Sequence, residues 1–451
     1  MTGRILDMNT PICDFVAAYK KKNTLRLHMP GHKGKTLLGF EELDITEIGG
    51  ADVLYSPSGI IAESENNARE LFGSGRTVYS AEGSSLSIRA MLYLAALWGE
   101  SVGRERLVLA GRNAHRVFHS AVALLNIDVE WLYGEQNDLM SCHVTPEYLD
   151  GALTDGDKKP CAIYLTSPDY LGNVLDIAAL SAVCRKHGVL CLVDNAHGAY
   201  LKFLKESQHP IDLGAHICAD SAHKTLPALT GAAYLHIAED APKILSEQSN
   251  KAMTLFASTS PSYLILQSLD AVNKYLSEGY AGRLGDACHR IEKLKGSLTK
   301  AGYTLIGNEP LKITLKTKPY GYLGLELGEL LCEQGIVCEF CDRDYLVLML
   351  TPEITDGELG MLRDVLCGIE KKPNIAETAP VPSGGERVLS VGEALMAAGR
   401  EISVEDSVGH VLADASVSCP PAVPIAVCGE RITKEAAEAM KYYGVEKITV
   451  I

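Results

Sequence analysis

The chain of 451 residues lacks a long apolar run, and aromatic residues make up only 6% of it. No stretch approaches the roughly 18 consecutive apolar residues that a membrane span requires. Residues 1–22 show no apolar core flanked by basic residues, as a signal peptide would. We therefore expect a soluble, cytoplasmic protein. At this length, two or three domains are expected, each able to bury its own core.

A disulfide framework and a basic surface are also missing. The thirteen cysteines are an odd number scattered through apolar segments, which favours reduced thiols. Cys338 and Cys341 form a CxxC pair, but no second pair at similar spacing accompanies it, so no metal site is predicted. The formal net charge of -15 argues against nucleic acid as a partner, because phosphate binding needs a basic face.

The middle of the chain alternates short apolar runs with helical patterns, which is typical of a mostly parallel sheet covered by helices. The predicted strands are residues 107–110, 129–133, 161–166, 189–194, 216–219 and 232–236. In such sheets, ligands bind beyond the carboxyl ends of the strands. Later segments predict a smaller α/β unit, a linker rich in proline and glycine, and a last unit with an apolar strand at 424–428.

Two polar motifs follow neighbouring strands of this predicted sheet. Asp194 ends one apolar run, and Lys224 comes shortly after another. An enzyme that uses pyridoxal 5'-phosphate (PLP) needs both groups, an amine to form a Schiff base and a carboxylate to keep the pyridine nitrogen protonated. Either residue alone is better explained as a turn cap or a surface lysine. Together with a phosphate site, the pair predicts PLP as the cofactor.

A phosphate site is predicted at Gly83, Ser84 and Ser85, directly before a helical stretch. Glycine lets the backbone approach closely, the two hydroxyls donate, and a helix N-terminus offers free amides to a dianion. Ser221 and His223, beside Lys224, could complete this phosphate shell. Taken alone, the segment is better explained as a capped helix start.

These motifs together resemble the ornithine/lysine/arginine decarboxylase family of fold-type I PLP enzymes, in its short bacterial form without an N-terminal receiver-like domain. The segments that carry the resemblance are His28 to Gly34, Asp44 to Glu47 leading to Asp52, Arg112 to His115, Thr166 to Pro168, Asp194 to Gly198, Ser221 to Leu226, and Ser258 to Tyr263.

The resemblance implies an α/β fold of the aspartate-aminotransferase type. Its large domain would contain a mostly parallel seven-stranded sheet, followed by a small α/β domain and a C-terminal α+β domain. The corresponding boundaries are an N-terminal arm at 1–35, the large PLP-binding domain at 36–285, the small domain at 286–371, a linker at 372–386, and the C-terminal domain at 387–451. A homodimer or a multiple of dimers with shared active sites is also implied.

Site roles are implied in the same way. Lys224 would hold the cofactor, Asp194 would face the pyridine nitrogen, His115 would stack on the ring, and His197 would lie near the cofactor oxygen. The phosphate would be bound by Gly83, Ser84, Ser85, Ser221 and His223, with Thr259 reaching it across a dimer interface. The candidates for contacts to the substrate are His32, Asp44 and Glu430. Glu47 and Asp52 are further acidic candidates for binding its distal cation, but each acidic residue taken alone is better explained as a surface or capping group.

The chain departs from the family pattern at three places. Asn195 stands where the family usually has an acidic residue, and the phosphate loop has serines where the family has a threonine-containing, Gly-rich loop. In the C-terminal unit, residues 419–424 replace a Tyr-Pro-Pro-Gly-Ile-Pro-like segment, although Gly429 and Glu430 persist. These departures affect the inferred substrate more than the inferred cofactor chemistry.

The expected reaction is decarboxylation of a basic amino acid, arginine first and then lysine or ornithine, giving agmatine, cadaverine or putrescine for polyamine biosynthesis. PLP aminotransferases of this fold commonly bind the α-carboxylate with an arginine of the small domain, and residues 345–352 contain none. Arg343 lies close by in the sequence and keeps an aminotransferase open as an alternative. A catalytically silent relative with a structural or regulatory role is the other alternative.

Overall fold

The computed structural model describes residues 8–134, 139–156, 158–382, 384–415, 418–419 and 423–451. These form two compact units, one comprising the chain up to Glu105 with Cys161–Ile163 and Ile177–Gly282, the other comprising Arg106–Pro160, Tyr164–Asp176 and Arg283–Ile451. The first seven residues of the predicted arm and residues 420–422 of the altered C-terminal segment lie outside the described residues. Among the described helices, none is long and apolar enough to cross a membrane.

The main sheet has seven strands in the order β1-β7-β6-β5-β4-β2-β3. The strands are β1 (Arg76–Ser80), β2 (Glu105–Gly111), β3 (Asp128–Leu132), β4 (Pro160–Thr166), β5 (Leu190–Asp194), β6 (Ile217–Asp220) and β7 (Ala233–Ile237). The six predicted strands are confirmed to within two residues at each end. The analysis missed β1, which pairs antiparallel with β7.

In the first unit, apolar side chains fill both faces of the sheet. Strand β5 is buried along its whole length, and it pairs in parallel with β6 so that Asp194 lies opposite Ala219. The helices of this unit are α1 (Pro11–Lys21), α2 (Ile60–Phe72), α3 (Ser84–Ser101), α6 (Ile177–His187), α7 (Ala222–Thr225), α8 (Lys243–Glu247), α9 (Ser249–Thr254), α10 (Tyr263–Ser277) and the start of α11 (Tyr280–Lys300). Ten residues of helix α3 are buried, and this burial anchors the helix together with its first turn.

The second unit contains β2, β3 and a four-stranded sheet in the order β10-β11-β9-β8. Its further strands are β8 (Thr304–Ile306), β9 (Lys312–Lys316), β10 (Phe340–Cys341), β11 (Tyr345–Met349), β12 (Arg400–Ser403), β13 (Ser418–Cys419), β14 (Val423–Pro424) and β15 (Lys447–Val450). Its further helices are α4 (Arg116–Leu125), α5 (Pro146–Asp155), α12 (Gly324–Glu333), α13 (Asp356–Gly368), α14 (Val391–Met396) and α15 (Lys434–Tyr442).

One strand predicted in this unit is wrong. Of the predicted run, Pro424 belongs to strand β14, whereas residues 425–428 form bends and a turn, because the carbonyl of Ile425 accepts a hydrogen bond from a side chain instead of from a neighbouring strand. Arg112 donates to the carbonyl oxygens of Pro424 and Ile425 at 3.0 and 3.3 Å. The domain boundaries given above stay a prediction.

Candidate active site

The turn that follows β5 presents the first predicted site residue. Asp194 is 3% exposed, and its carboxylate accepts a hydrogen bond from the backbone N–H of Ala196 at 3.2 Å. The backbone N–H of Gly198 donates to the carbonyl of Asn195 at 2.8 Å, which closes the turn. The Asp194 carboxylate therefore lies at the carboxyl end of the buried strand β5. The alternation of apolar runs and helical patterns in the sequence predicted this position.

The segment after β6 brings Lys224 to this turn. Residues Ser221 to Thr225 turn into the short helix α7, and Lys224 Nζ lies 3.0 Å from His197 Nε2. Lys224 is half-buried, so its amine is sheltered but accessible. The structure thus brings together three predicted residues, because Asp194 and His197 share one turn.

The predicted phosphate site lies at the N-terminus of α3. Gly83 adopts a φ of 73°, a left-handed conformation that glycine tolerates best, and Ser84 begins the helix. No side chain caps this helix, so its first backbone amides point toward the loop. Ser221 Oγ donates to Ser84 Oγ at 2.8 Å, which joins the loop to the segment that carries Lys224.

His223 and Ser85 lie at the edges of this loop. The backbone N–H and the Nδ1 of His223 both lie within hydrogen-bond distance of the carbonyl of Ala232, at 3.3 and 3.0 Å. This contact fixes the imidazole and leaves its Nε2 for another partner. Ser85 is half-buried in the first turn of α3.

Thr259 is exposed and lines a cavity of about 260 Å³ together with Glu47, Tyr55 and Ser258. The backbone N–H of Ser258 donates to the carboxylate of Glu82 at 2.7 Å. Glu82 directly precedes Gly83, so the Thr259 segment is tied to the phosphate loop of its own chain. The sequence analysis assigned no role to Glu82, and only this long-range contact identifies it.

The residues proposed for substrate contact fall in different places. His32 Nε2 lies 3.2 Å from Asp44 Oδ2, so these two form a pair in the first unit. In the second unit, Glu430 is 4% exposed and accepts hydrogen bonds from Val427 N and Tyr133 Oη at 3.1 and 3.3 Å.

His115 also lies in the second unit, at the start of α4. Its Nδ1 accepts a hydrogen bond from Val117 N at 3.2 Å, so it caps this helix. Asp52 is a second helix-capping residue, because its carboxylate accepts from backbone amides that include those of Ser58 and Gly59 at the start of α2. These amides hold the pKa of Asp52 below its usual value, although burial opposes them.

A buried carboxylate missed by the sequence analysis lies beneath the turn. Asp220 is fully buried at the end of β6, and it accepts hydrogen bonds from His209 and Asn195. Burial alone would raise the pKa of this carboxyl, but the imidazoles of His209 and His236 outweigh burial and hold the pKa well below its usual range. The position next to Ser221 was the only signal in the sequence, since the partners come from distant segments.

The donors gathered in the first unit fit PLP. Lys224 supplies an amine, Asp194 a buried carboxylate suited to a protonated ring nitrogen, and the uncapped N-terminus of α3 a site for a phosphate dianion. Ser84 and Ser221 place two hydroxyl groups 2.8 Å apart at that helix end, where both can turn toward an anion. The roles of His115, Thr259, His32, Asp44 and Glu430 stay predictions.

Known proteins resemble this chain over almost its whole length. The chain is 29% identical to the uncharacterized protein YaaO of Bacillus subtilis, over 96% of this chain and 94% of that protein. It is 28% identical to an arginine decarboxylase of Halalkalibacterium halodurans, over 94% of this chain and 91% of that protein. The fold matches the constitutive lysine decarboxylase of Escherichia coli with a TM-score of 0.77 at 17% identity, over 98% of this chain and 82% of that chain.

The family model for the major domain of Orn/Lys/Arg decarboxylases matches residues 10–306, which include Lys224, Asp194 and the phosphate loop. The α/β fold expected from the sequence, with its mostly parallel seven-stranded sheet, is confirmed by the sheet and by the structural matches. The chain belongs to the Orn/Lys/Arg decarboxylase family.

Proposed function

We propose that this protein is a PLP-dependent decarboxylase of a basic amino acid, with arginine as the first candidate substrate and lysine or ornithine next. The observation that carries the proposal is that Lys224 Nζ lies 3.0 Å from His197 Nε2. His197 lies on the turn that also contains Asp194. The named function of the Halalkalibacterium halodurans relative supports arginine.

The cofactor, when bound, supplies an electron-accepting ring that takes up the electron pair released as carbon dioxide leaves the α-carbon. Lys224 would anchor the cofactor through its amine. Asp194 would hold the proton on the ring nitrogen, and it stays in place because Ala196 N binds its carboxylate. Ser84, Ser221 and the amides of α3 would bind the phosphate and so fix the ring between the two.

Contacts of Arg343 favour decarboxylation over the aminotransferase alternative. Arg343 Nη2 donates to Glu377 at 2.9 Å, and its guanidinium lies 4.8 Å from the centre of the Tyr442 ring. These contacts engage Nη2 and one face of the guanidinium that an aminotransferase would use to bind an α-carboxylate. A decarboxylase needs no such contact, since a poorly solvated carboxylate leaves more easily.

We further propose that the enzyme works as a homodimer with shared active sites. Apolar side chains of the segment before the His32–Asp44 pair are strongly exposed, with Leu25 at 79% and Leu27 at 83%. Burial of such a patch against a second copy would stabilise a dimer. Sedimentation velocity tests this: a monomer at micromolar concentration would contradict the dimer.

A panel of three substrates tests the proposed reaction. Purified protein with PLP is incubated with arginine, lysine or ornithine, and carbon dioxide and amine product are measured. Release of carbon dioxide from one of them with the matching amine, agmatine, cadaverine or putrescine, is expected. Production of keto acid without carbon dioxide would indicate an aminotransferase, and a folded protein that stays colourless with PLP would indicate a silent relative.

A further inference from the structure

Four side chains surround the fully buried carboxylate of Asp220, and one of them, Cys218, donates from its Sγ to Asp220 Oδ1 at 3.7 Å. His209 Nε2 lies 2.9 Å from its Oδ2, and His236 Nε2 lies 3.5 Å from the same oxygen. Asn195 Nδ2 donates to its Oδ1 at 2.8 Å. All four residues have no exposed surface, so the carboxylate depends on these donors.

The protonation of both imidazoles follows from their other contacts. Thr77 Oγ1 lies 2.8 Å from His236 Nδ1 and its hydroxyl can donate to it, which leaves the proton of a neutral ring on the Nε2 that faces Asp220. His209 Nδ1 has no hydrogen-bond partner, so its ring proton also belongs on the Nε2 that contacts Asp220. The carboxylate therefore accepts N–H hydrogen bonds from His209 and Asn195, while His236 Nε2 faces it at ion-pair distance without a hydrogen bond among the described residues.

Asn195 connects this carboxylate to the turn that carries Asp194 and His197. Its backbone N–H donates to Ala219 at 3.0 Å, and its carbonyl accepts from Gly198. A Cβ added at Gly198 would lie 2.0 Å from Asn195 Oδ1, so the amide packs directly against the glycine. Asn195 Oδ1 has no hydrogen-bond partner among the described residues, so the hydrogen bond to Asp220 selects which end of the amide faces the carboxylate.

We propose that Asp220 is a positioning residue of the active site. It acts through Asn195 to fix the turn of residues 194–198. This turn sets the positions of the Asp194 carboxylate and the His197 imidazole relative to Lys224. This inference rests on the proposed function, because the turn matters only if Asp194 and Lys224 serve one cofactor. Asp220 itself touches neither cofactor nor substrate.

A metal ion is the competing use of the same groups. His209, Cys218 and Asp220 place one ligand atom each within 4.8 Å of one another. Both carboxylate oxygens already accept N–H donors, however, and an ion would have to displace them. We therefore assign the cluster to hydrogen bonding, and a stoichiometric metal in the purified protein would overturn this assignment.

An exchange of amide and carboxylate between the two positions tests the proposal. In Asp220→Asn, the new amide has to offer an oxygen to His209, so Asn195 either faces its NH2 group with another NH2 group or turns its amide over and places the NH2 group against Gly198. In Asn195→Asp, two carboxylates face each other. In the double variant, Asn195→Asp with Asp220→Asn, the side chain at position 220 can accept from His209 and donate to the carboxylate at position 195, which restores these two hydrogen bonds.

PLP affinity, the visible absorbance of bound PLP and the melting temperature of the apo protein are measured for all three variants. Glu247→Gln, which removes a carboxylate from an exposed position of the same unit, is the matched control. Each single variant is expected to bind PLP about tenfold more weakly or worse, with a shifted absorbance band, because a hydrogen bond to a charged group is lost. The double variant is expected to return to within about twofold of the wild-type affinity.

The outcomes separate this inference from the proposed function. A wild-type protein that binds no PLP would overturn both. If the wild type binds PLP and the single variants bind it equally well, with only their melting temperatures lowered, Asp220 has a structural role and the inference is overturned alone. If a single variant fails to fold, the double variant decides, and a double variant that does not recover PLP affinity overturns the inference.

Discussion

Lys224 Nζ lies 3.0 Å from His197 Nε2, although 27 residues separate them in the chain. The two residues follow adjacent parallel strands, β5 and β6, whose carboxyl ends meet at one edge of the sheet. This contact places an amine beside the turn that holds Asp194. The predictions below test what each of these groups does.

Replacement of Lys224 by alanine is expected to abolish decarboxylation, with a loss of three orders of magnitude or more (~10³-fold), because the amine that anchors and releases the cofactor is removed. The visible absorbance of lysine-bound PLP should disappear as well. Lys251→Ala, at an exposed position of α9, is the control and should retain both properties. Retention of the absorbance in Lys224→Ala would show that another lysine holds the cofactor.

Asp194→Asn keeps the shape of the side chain but removes its charge. PLP should still bind, while kcat falls by about 10²–10³-fold because the ring nitrogen is no longer held protonated. Measurement of kcat and KM separates this effect from weaker substrate binding. An unchanged kcat would contradict the assigned role of Asp194.

The two serines at the N-terminus of α3 are expected to act together on the phosphate. Ser84→Ala and Ser221→Ala should each weaken PLP binding about threefold to tenfold, and the double variant should fall short of the product because the two hydroxyls contact each other at 2.8 Å. PLP titration by fluorescence measures this cycle. Ser101→Ala, at the other end of the same helix, should leave the affinity unchanged. A full affinity in both single variants would contradict the phosphate site.

Stability at acidic pH is expected to depend on His119. Burial, with a further contribution from Arg112, lowers the pKa of His119 to about 3. The unfolded chain binds this proton near pH 6.5, so the contribution of His119 to stability is complete above that pH. It is lost as the pH falls toward 3, by up to about 1.4 kcal/mol per pH unit.

His119→Phe should therefore flatten the pH dependence of the melting temperature between pH 6.5 and 4. Phenylalanine can keep the stacking on Trp131, whose ring centre lies 5.1 Å from that of His119. His289→Gln, at an exposed position, should leave the pH dependence as in the wild type. If the melting temperature of His119→Phe falls as steeply toward acidic pH as that of the wild type, the pH dependence arises from other groups.

Local sequence patterns predicted most of the sheet because buried parallel strands are short apolar runs bounded by polar residues. Strand β5 illustrates this, since its apolar run ends at Asp194 where the strand ends. Strand β1 has five residues, as β5 does, but it was missed because it precedes the alternating segment, and it is recognised through its pairing with β7. Residues 425–428 are apolar because they are buried, not because they pair with another strand. Their apolar run therefore wrongly predicted a strand.

The candidate site was predictable where a residue's own type and strand position carry the chemistry, as for Lys224 and Asp194. The contacts that hold these residues were not predictable. His209 and His236 come from separate segments and meet only at the buried Asp220, and no local pattern marks such a cluster. Glu82 is a similar case, since its partner Ser258 is 176 residues away.

Carbon dioxide release from 1-carboxyl-labelled arginine, lysine and ornithine by the PLP-loaded protein, with Lys224→Ala as the blank, tests the central claim most directly. We predict labelled carbon dioxide from at least one of the three, with arginine the fastest, and none from Lys224→Ala. A folded, PLP-binding wild-type protein that releases no labelled carbon dioxide from any of them would contradict the claim.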